Sequence, residues 1–402
     1  MKGIFNHKGN GRTIFFNSSV GDVYFMLKIV WLQPIWSNYH IARAKAFQRN
    51  NPHCELICLS ISDVCGEVNS SDWLVRDFLG LKHQVLFTQQ KYLDISPFKI
   101  AISVIKFILS NKVDALCLLG YARPEVQFIA FVLGIFTKMP ALILLSESKK
   151  DDAYRQSWRE HLKGKLINLY NSALVGGQVH KRYLIQLGMV EESIFLGYDI
   201  VENQLFHPDR IKLFPCLIKK PYFLAINRFV TKKNLLFLIS SYSKYRQVFG
   251  IEAWDLVLCG DGELRPQIEQ HIAKLELQDH IHLTGFLQQE EMLPYFAHAS
   301  CFVHASIQEQ WGLVVNEAMA AGLPVLVSST CGCYEDLIIE GINGFSFDPK
   351  NSEQLTELML KMSSANIDLN KMAQASLEHI QKYSPDYFAQ GLMQAIEYAL
   401  SH

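Results

Sequence analysis

Short apolar runs alternate with amphipathic stretches along the chain, and this pattern constrains the fold more than any other feature. In the first half "LKIVWLQ" precedes the helical "NYHIARAKAFQRN", and "CELICLSI" follows. Further on come helical "KIAISVIKFILSN", strand "ALCLLG", helix "EVQFIAFVLGIF", strand "ALILLSE", a basic helical stretch and strand "SALVGG". Runs of this length that are apolar on both faces suit central strands of a parallel sheet, and the intervening helices supply the crossovers. The expected class is α/β, with doubly wound parallel sheets.

The alternation lapses once. "VENQLFHPDRIKLFPCLIKKP" has no clear period, carries three prolines and reads as a linker. It resumes at "YFLAIN" and runs through "DLVLCG", "IHLTG", "SCFVHAS" and "PVLVSS". The expected organisation is an extension over 1–25, a Rossmann-like domain over 26–200, a linker over 201–220, a second Rossmann-like domain over 221–385 and a final helix over 386–402. In the second half, polar residues and glycines cluster just after the strands: Arg228 and Lys233, Gly260-Asp261-Gly262, Phe286, Glu309 and Gly332. Open α/β sheets bind ligands at the carboxyl ends of their strands. Five loops should therefore converge on one crevice.

Composition narrows the class further. Of 402 residues, 49% are hydrophobic and 19% charged, with formal net charge −1, which provides for packed cores and gives no general attraction to nucleic acid. Nine cysteines without a paired Cys-x-x-Cys pattern point to free thiols in a reducing compartment, hence the cytoplasm. Residues 1–25 lack the apolar core of a cleavable leader and read as a loose extension before the first strand. The longest apolar stretch, Val126 to Leu145, tempts a membrane-span reading, but Lys138 and Pro140 interrupt it. A buried helix, a turn and a central strand fit it better.

The residues near the predicted crevice suggest a ligand. Arg228 and Lys233 share the segment "NRFVTKKN", where a planar fork and a point charge suit a diphosphate. Gly260-Asp261-Gly262 permits close backbone approach before a helix. In "SIQEQWGLVVNEAMAAGLPVLVSS", Glu309 and Glu317 are separated by seven residues, with Gly312 near a helix start between them. Free N–H groups at that start suit phosphate, and carboxylates accept hydrogen bonds from paired sugar hydroxyls. Together these describe a nucleotide-sugar site.

"EQWGLVVNE" followed by "AMAAGLPVLVSS" resembles the E-x7-E signature of retaining glycosyltransferases of family 4, which have the GT-B fold: two Rossmann-like domains facing a central cleft, with a C-terminal helix crossing back. The resemblance extends through "NRFVTKKN", "LCGDGELRPQIE", "IHLTGF" and "EDLIIEGINGF", with "IFLGYDIVENQLF" as the interdomain entry. It implies a hexosyltransferase that uses a nucleotide-sugar, UDP-linked by preference, in polysaccharide, glycolipid or small-molecule glycoside synthesis. By the same resemblance Glu309 contacts the sugar hydroxyls and Glu317 the ribose. Arg228 and Lys233 neutralise the diphosphate, helped by the backbone N–H groups of Leu313 and Val314 after Gly312. Gly260, Asp261, Gly262 and Phe286 complete the donor site. No metal or other cofactor is implied, which agrees with the lack of any Asp-x-Asp. A catalytically inactive GT-B partner subunit and a nucleotide-sugar epimerase are the alternatives.

The first domain departs from the family pattern. Where many members carry a Gly-Gly loop, this chain has Trp36, Asn38, Tyr39 and His40, which are expected to touch the acceptor; helix capping by Asn38 is the structural alternative. Where many carry a histidine facing the sugar, Glu147 stands, and it joins Glu309, Arg228 and Lys233 among the catalytic candidates. His304, in the strand before Glu309, reads as structural. The segment Lys149–Tyr170 has six Lys/Arg against three acids, interleaved with Tyr154 and Trp158. It is either a solvated helix lining the acceptor cleft or a peripheral contact with the inner membrane surface, where a lipid-linked hydroxyl acceptor would be met.

Overall fold

The computed structural model describes residues 8–9, 12–13, 26–64, 78–136, 140–152 and 156–402. Within the 1–25 extension, β1 (Lys8–Gly9) and β2 (Arg12–Thr13) pair antiparallel. The rest of that extension, Lys138 and Tyr154 lie outside the described residues.

The first sheet contains β3 (Leu27–Gln33), β4 (Cys54–Val64), β5 (Lys82–Lys91), β6 (Ala115–Leu119), β7 (Ala141–Ser146), β8 (Ser172–Val175) and β9 (Ile194–Leu196). Their order is β5-β4-β3-β6-β7-β8-β9, with every pair parallel. The second sheet contains β10 (Tyr222–Ile226), β11 (Asp255–Cys259), β12 (Ile281–Gly285), β13 (Cys301–His304), β14 (Val325–Ser328) and β15 (Gly344–Phe347). Its order is β12-β11-β10-β13-β14-β15, again all parallel. Both are doubly wound Rossmann-like sheets, as the alternation of strands and helices predicts.

The continuous apolar runs become central strands: every residue of β7 and β11 is buried. The sequence reading lacks β5, β9 and β15. β5 lies at a sheet edge and buries only Phe87, and β9 and β15 are three and four residues long, so none shows a strong apolar run.

Two expectations need correction. The apolar stretch 126–145 divides as predicted into a helix, Pro124–Phe136, and β7, but the helix is not wholly buried. Phe128, Phe131, Ile135 and Phe136 are exposed along its outer side, and Phe128 meets exposed Phe98 edge-on at 5.2 Å. Among the described residues no helix is long and apolar enough to cross a membrane. The stretch 201–220 is also more than a linker. It forms the short helices Asn203–Phe206 and Pro208–Ile211, and Val201, Phe206 and Ile211 are buried in the second domain's core. Helices of a single turn are too short for periodicity to reveal.

The last helix, Pro385–Ser401, follows Ser384 with proline in its first turn, where the missing N–H is no loss. It packs on the first domain. Phe388 stacks on Trp31 at 5.2 Å, Ser172 Oγ donates to Ala395 O, and Arg49 and Asn50 hold Asp386.

Candidate active site

In each sheet the winding direction reverses beside one central strand, between β10 and β13 in the second domain and between β3 and β6 in the first. The crevice beyond the strand ends opens there. The two domains are tied across this cleft. The ring of His180 bonds Gln310 O at 2.9 Å, Lys149 Nζ donates to Thr330 O at 2.7 Å, and Arg182 Nη2 donates to both Glu335 carboxylate oxygens at 2.7 and 2.8 Å.

Glu309 lies in the loop after β13. The Ile307 N–H donates to Lys232 O at 2.9 Å, which stitches this loop to the one after β10. That stitch brings Lys233 Nζ onto Glu309 Oε2 as an ion pair, both side chains only 13% exposed. The same oxygen is bonded at 3.2 Å by His304 Nε2 and by Ser306 Oγ. A carboxylate only accepts, so His304 carries its proton on Nε2. Burial alone would raise the Glu309 carboxyl, but His304 and Lys233 outweigh it and hold Glu309 well below the usual carboxylate range. Burial pushes His304 itself down, so near neutral pH it acts as an uncharged donor and Lys233 supplies the charge. His304 is thus structural, as read, but it is the residue that orients Glu309. Glu309 is far from the solvated loop end that its sequence neighbourhood would also have allowed.

Arg228, after β10, is exposed and makes no ion pair among the described residues. Phe286, after β12, is also exposed. Gly260-Asp261-Gly262 adjoins the same crevice, but the reason for its glycines differs from the expectation. A Cβ on Gly260 (φ +134°) would lie 1.8 Å from Asn227 O, and one on Gly262 would lie 2.7 Å from Phe229 O. The close backbone approach is to the neighbouring 227–229 loop. Asp261 pairs at 3.0 Å with Arg265, the first residue of the helix Arg265–Lys274.

The predicted helix after Trp311 spans Leu313–Ala320, with Gly312 (φ +108°) as its cap. Its first N–H groups, those of Leu313 and Val314, have no partner within the helix. Glu317, one turn in, is 2% exposed. Burial lifts its carboxyl to about 7, against a lowering by its bond from Tyr39. Tyr39 Oη donates to Glu317 Oε1 at 2.5 Å across the domain boundary.

The other first-domain candidates divide. Trp36 is 1% exposed and packs edge-on against Trp31 at 4.9 Å, so it is a core residue and no acceptor contact. The predicted cap also moves. The helix starts at Asn38, its cap is Ser37, and the Ser37 N–H donates to His40 Nδ1 at 3.2 Å. Burial lowers His40 to about 3, so it is neutral and serves that cap. Asn38 is exposed and reaches Gln289 at 3.5 Å. Glu147 follows β7 and faces Glu309, Arg43 and Asp199, and burial raises its carboxyl.

Residues 216–379 match the family Glycosyl transferases group 1. Among curated relatives, the amylovoran biosynthesis glycosyltransferase AmsK of Erwinia amylovora is 29% identical over 46% of each chain. The chain thus spans about half the length, or less, of the curated relatives it matches. Among solved structures, a glycosyltransferase from Rickettsia africae ESF-5 superposes with TM-score 0.74 at 16% identity, covering 94% of this chain and 100% of that one. Anabaena Alr3699/HepE, solved in complex with UDP-glucose, superposes with TM-score 0.69 at 16% identity over 92% and 99%. These likenesses show that the two Rossmann-like domains share the fold of GT-B structural neighbours over 92–94% of the chain.

On its second-domain side the cleft therefore offers exposed Arg228, a lysine–glutamate pair and helix N–H groups with no partner within the helix, and on its first-domain side half-buried Glu147 with buried Asp199. Sequence reasoning missed Arg43 and Asp199. Arg43 shares the inward side of its helix with Tyr39 and Phe47, four residues either way, and an arginine on an apolar face was the available signal.

Proposed function

We propose that the protein is a retaining glycosyltransferase that moves a hexose-type sugar from a nucleoside-diphosphate sugar, UDP-linked by preference, to a hydroxyl acceptor, without a metal. The observation that carries this reading is the Lys233–Glu309–His304 cluster, set beside the helix start at Leu313 and facing Glu147 across the cleft. UDP-glucose in the Anabaena relative supports the choice of donor.

On arrival of the donor, Lys233 has a second anion to serve besides Glu309, and Arg228 makes no ion pair among the described residues. Both stabilise charge that develops on the departing phosphate oxygen. Glu309, kept ionised, accepts hydrogen bonds from sugar hydroxyls, and Glu317 accepts from the ribose. The sugar C1–O bond to phosphate breaks as the bond to the acceptor oxygen forms on the same face. The acceptor's proton passes to the departing phosphate oxygen. Asn38 and Tyr39 are the first-domain residues we assign to the acceptor. The aromatic outer side of the Pro124–Phe136 helix, beside the basic Ser157–Ile167 helix, supports contact with a membrane surface that presents a lipid-linked acceptor.

Thermal-shift screening against UDP-, GDP- and ADP-sugars tests the donor, since a ligand of the folded state raises its apparent stability. Proton NMR of the product anomer tests retention. A transition unmoved by every nucleotide-sugar would sink the proposal.

A further inference from the structure

Behind Glu147 lies a second acid that the proposed chemistry does not use. Asp199, just past β9, is 1% exposed, and neither carboxylate oxygen accepts from an N–H or hydroxyl among the described residues. Ser146 pairs with Val175, so Glu147 follows beside Gly176, the residue against which Asp199 Oδ2 packs. Its nearest cation is Arg43, whose Nη2 stands 3.9 Å from Asp199 Oδ1 and which is itself 2% exposed. Arg43 is anchored elsewhere. Its Nε and Nη2 donate to Ile200 O at 3.3 and 3.0 Å, and its guanidinium lies 4.9 Å from the centre of the Tyr198 ring. The loop after β8 closes the pocket. A Cβ on Gly176 would sit 2.4 Å from Asp199 Oδ2 and 3.0 Å from the Trp311 ring.

A buried carboxylate without donors is strongly disfavoured, and so is a buried charge without a counter-charge. Here two acids, Glu147 and Asp199, face one guanidinium. The other ionisable groups around them cannot balance a second negative charge. Glu309, opposite, is itself an anion, and Tyr198 is pushed up by burial and stays neutral. Asp336, which accepts from the Gln178 N–H at 3.0 Å, adds no positive charge. Burial and mutual repulsion raise Asp199, with Arg43 opposing, and Glu147 moves the same way.

We propose that Asp199 is a positioning residue for Glu147: the two carboxyls share one proton, Arg43 balances the single remaining charge, and the pair holds Glu147 as a hydrogen-bonding group facing the cleft. This rests on the reading of Glu147 as the first-domain group beside the transferred sugar. The pair itself can be tested without turnover.

Infrared difference spectroscopy reads it directly. At neutral pH the wild-type protein should show the carbonyl stretch of a protonated carboxyl that is lost in both Asp199→Asn and Glu147→Gln, because one remaining carboxylate is balanced by Arg43. Unchanged carboxyl bands in the two variants overturn the proposal, whether or not the protein transfers sugar. If Asp199→Asn is too unstable to purify, Glu147→Gln alone decides the infrared test. In steady state, Asp199→Asn should lower kcat about tenfold or more, with KM for the nucleotide-sugar within about twofold. It should also abolish the alkaline limb of kcat, which reports loss of the shared proton. A drop in kcat with that limb unmoved overturns the positioning role. A wild-type protein that shows the shared-proton band but turns over no nucleotide-sugar supports the pair and counts against the glycosyltransferase reading.

Discussion

Tyr39 of the first domain donates a 2.5 Å hydrogen bond to Glu317 of the second, so the carboxylate proposed to hold the ribose is also a contact that joins the domains. Ribose hydroxyls and the Tyr39 hydroxyl compete for the same oxygens. Tyr39→Phe removes the internal competitor, and an intramolecular hydrogen bond contributes about 0.5–1.5 kcal/mol. Uridine diphosphate should therefore bind about two- to tenfold tighter to the variant. Calorimetric titration checks this, and weaker binding would mean that Tyr39 helps to hold the nucleotide.

The protonation of Glu317 gives a second expectation. Burial places it at about 7, above the range of an unfolded glutamate. The folded protein then holds this proton more firmly than the unfolded chain, so its contribution to stability is present at low pH and fades as pH rises from the unfolded value toward 7. Glu317→Gln should flatten that part of the stability profile in denaturant titrations. Hydroxyl donors from a ribose favour the carboxylate, so nucleotide binding just below neutral pH should release protons. Calorimetry in buffers of different ionisation enthalpy measures the release, and proton uptake would contradict the assignment.

At the other end of the site, Lys233 and His304 keep Glu309 ionised. Lys233→Ala and Glu309→Ala should each reduce transfer about 10²–10³-fold, the scale of losing one preorganised group that stabilises developing charge. Both variants should still fold, with Lys233→Ala the more destabilised in thermal unfolding because it leaves the Glu309 carboxylate without its counter-charge. Turnover unchanged in both would remove the cluster from the mechanism. His304→Ala leaves the ion pair but removes the hydrogen bond that aims Glu309, so a smaller loss is expected.

The periodicity of the sequence revealed the two sheets because their central strands are apolar on both faces. It could not reveal β5, whose edge position leaves it polar, or the one-turn helices between 203 and 211. Glu309, Glu317, Arg228 and Lys233 could be read as candidates because they follow strand ends or lie near a helix start, and the fold joins Lys233 to Glu309. The first-domain side was less legible. Trp36 and His40 occupy a loop that looks like a ligand loop, yet one fills the core and the other serves a helix cap. Asp199 is isolated in sequence, and only the fold brings Glu147 and Arg43 to it.

Gly260 separates a structural from a ligand-binding reading of the glycine loop. It combines φ +134° with a Cβ position 1.8 Å from a backbone oxygen that cannot swing away. Gly260→Ala should destabilise the protein by about 3 kcal/mol or more, from backbone strain plus displacement of the 227–229 loop. Urea unfolding monitored by tryptophan fluorescence reads this. Preserved stability with lost nucleotide binding would restore the expectation that the glycine admits the ligand itself.

The exposed side of the Pro124–Phe136 helix gives the last expectation. Phe98, Phe128, Phe131 and Phe136 are exposed together, with Trp158 and Leu162 on the Ser157–Ile167 helix. The helices Pro97–Asn111, Pro124–Phe136 and Ser157–Ile167 carry five Lys/Arg against two Glu, on a chain of net charge −1. Aromatic rings amid excess positive charge suit the headgroup level of an anionic bilayer, where each basic side chain contributes about 1 kcal/mol near the surface. The protein should co-sediment with vesicles containing phosphatidylglycerol and not with pure phosphatidylcholine, and added salt should weaken the binding. The double variant Phe128→Ser, Phe131→Ser should lose vesicle binding while still responding to nucleotide-sugar in thermal shift. Wild-type protein that stays in the supernatant, or a variant that sediments equally well, would rule this face out as a membrane contact.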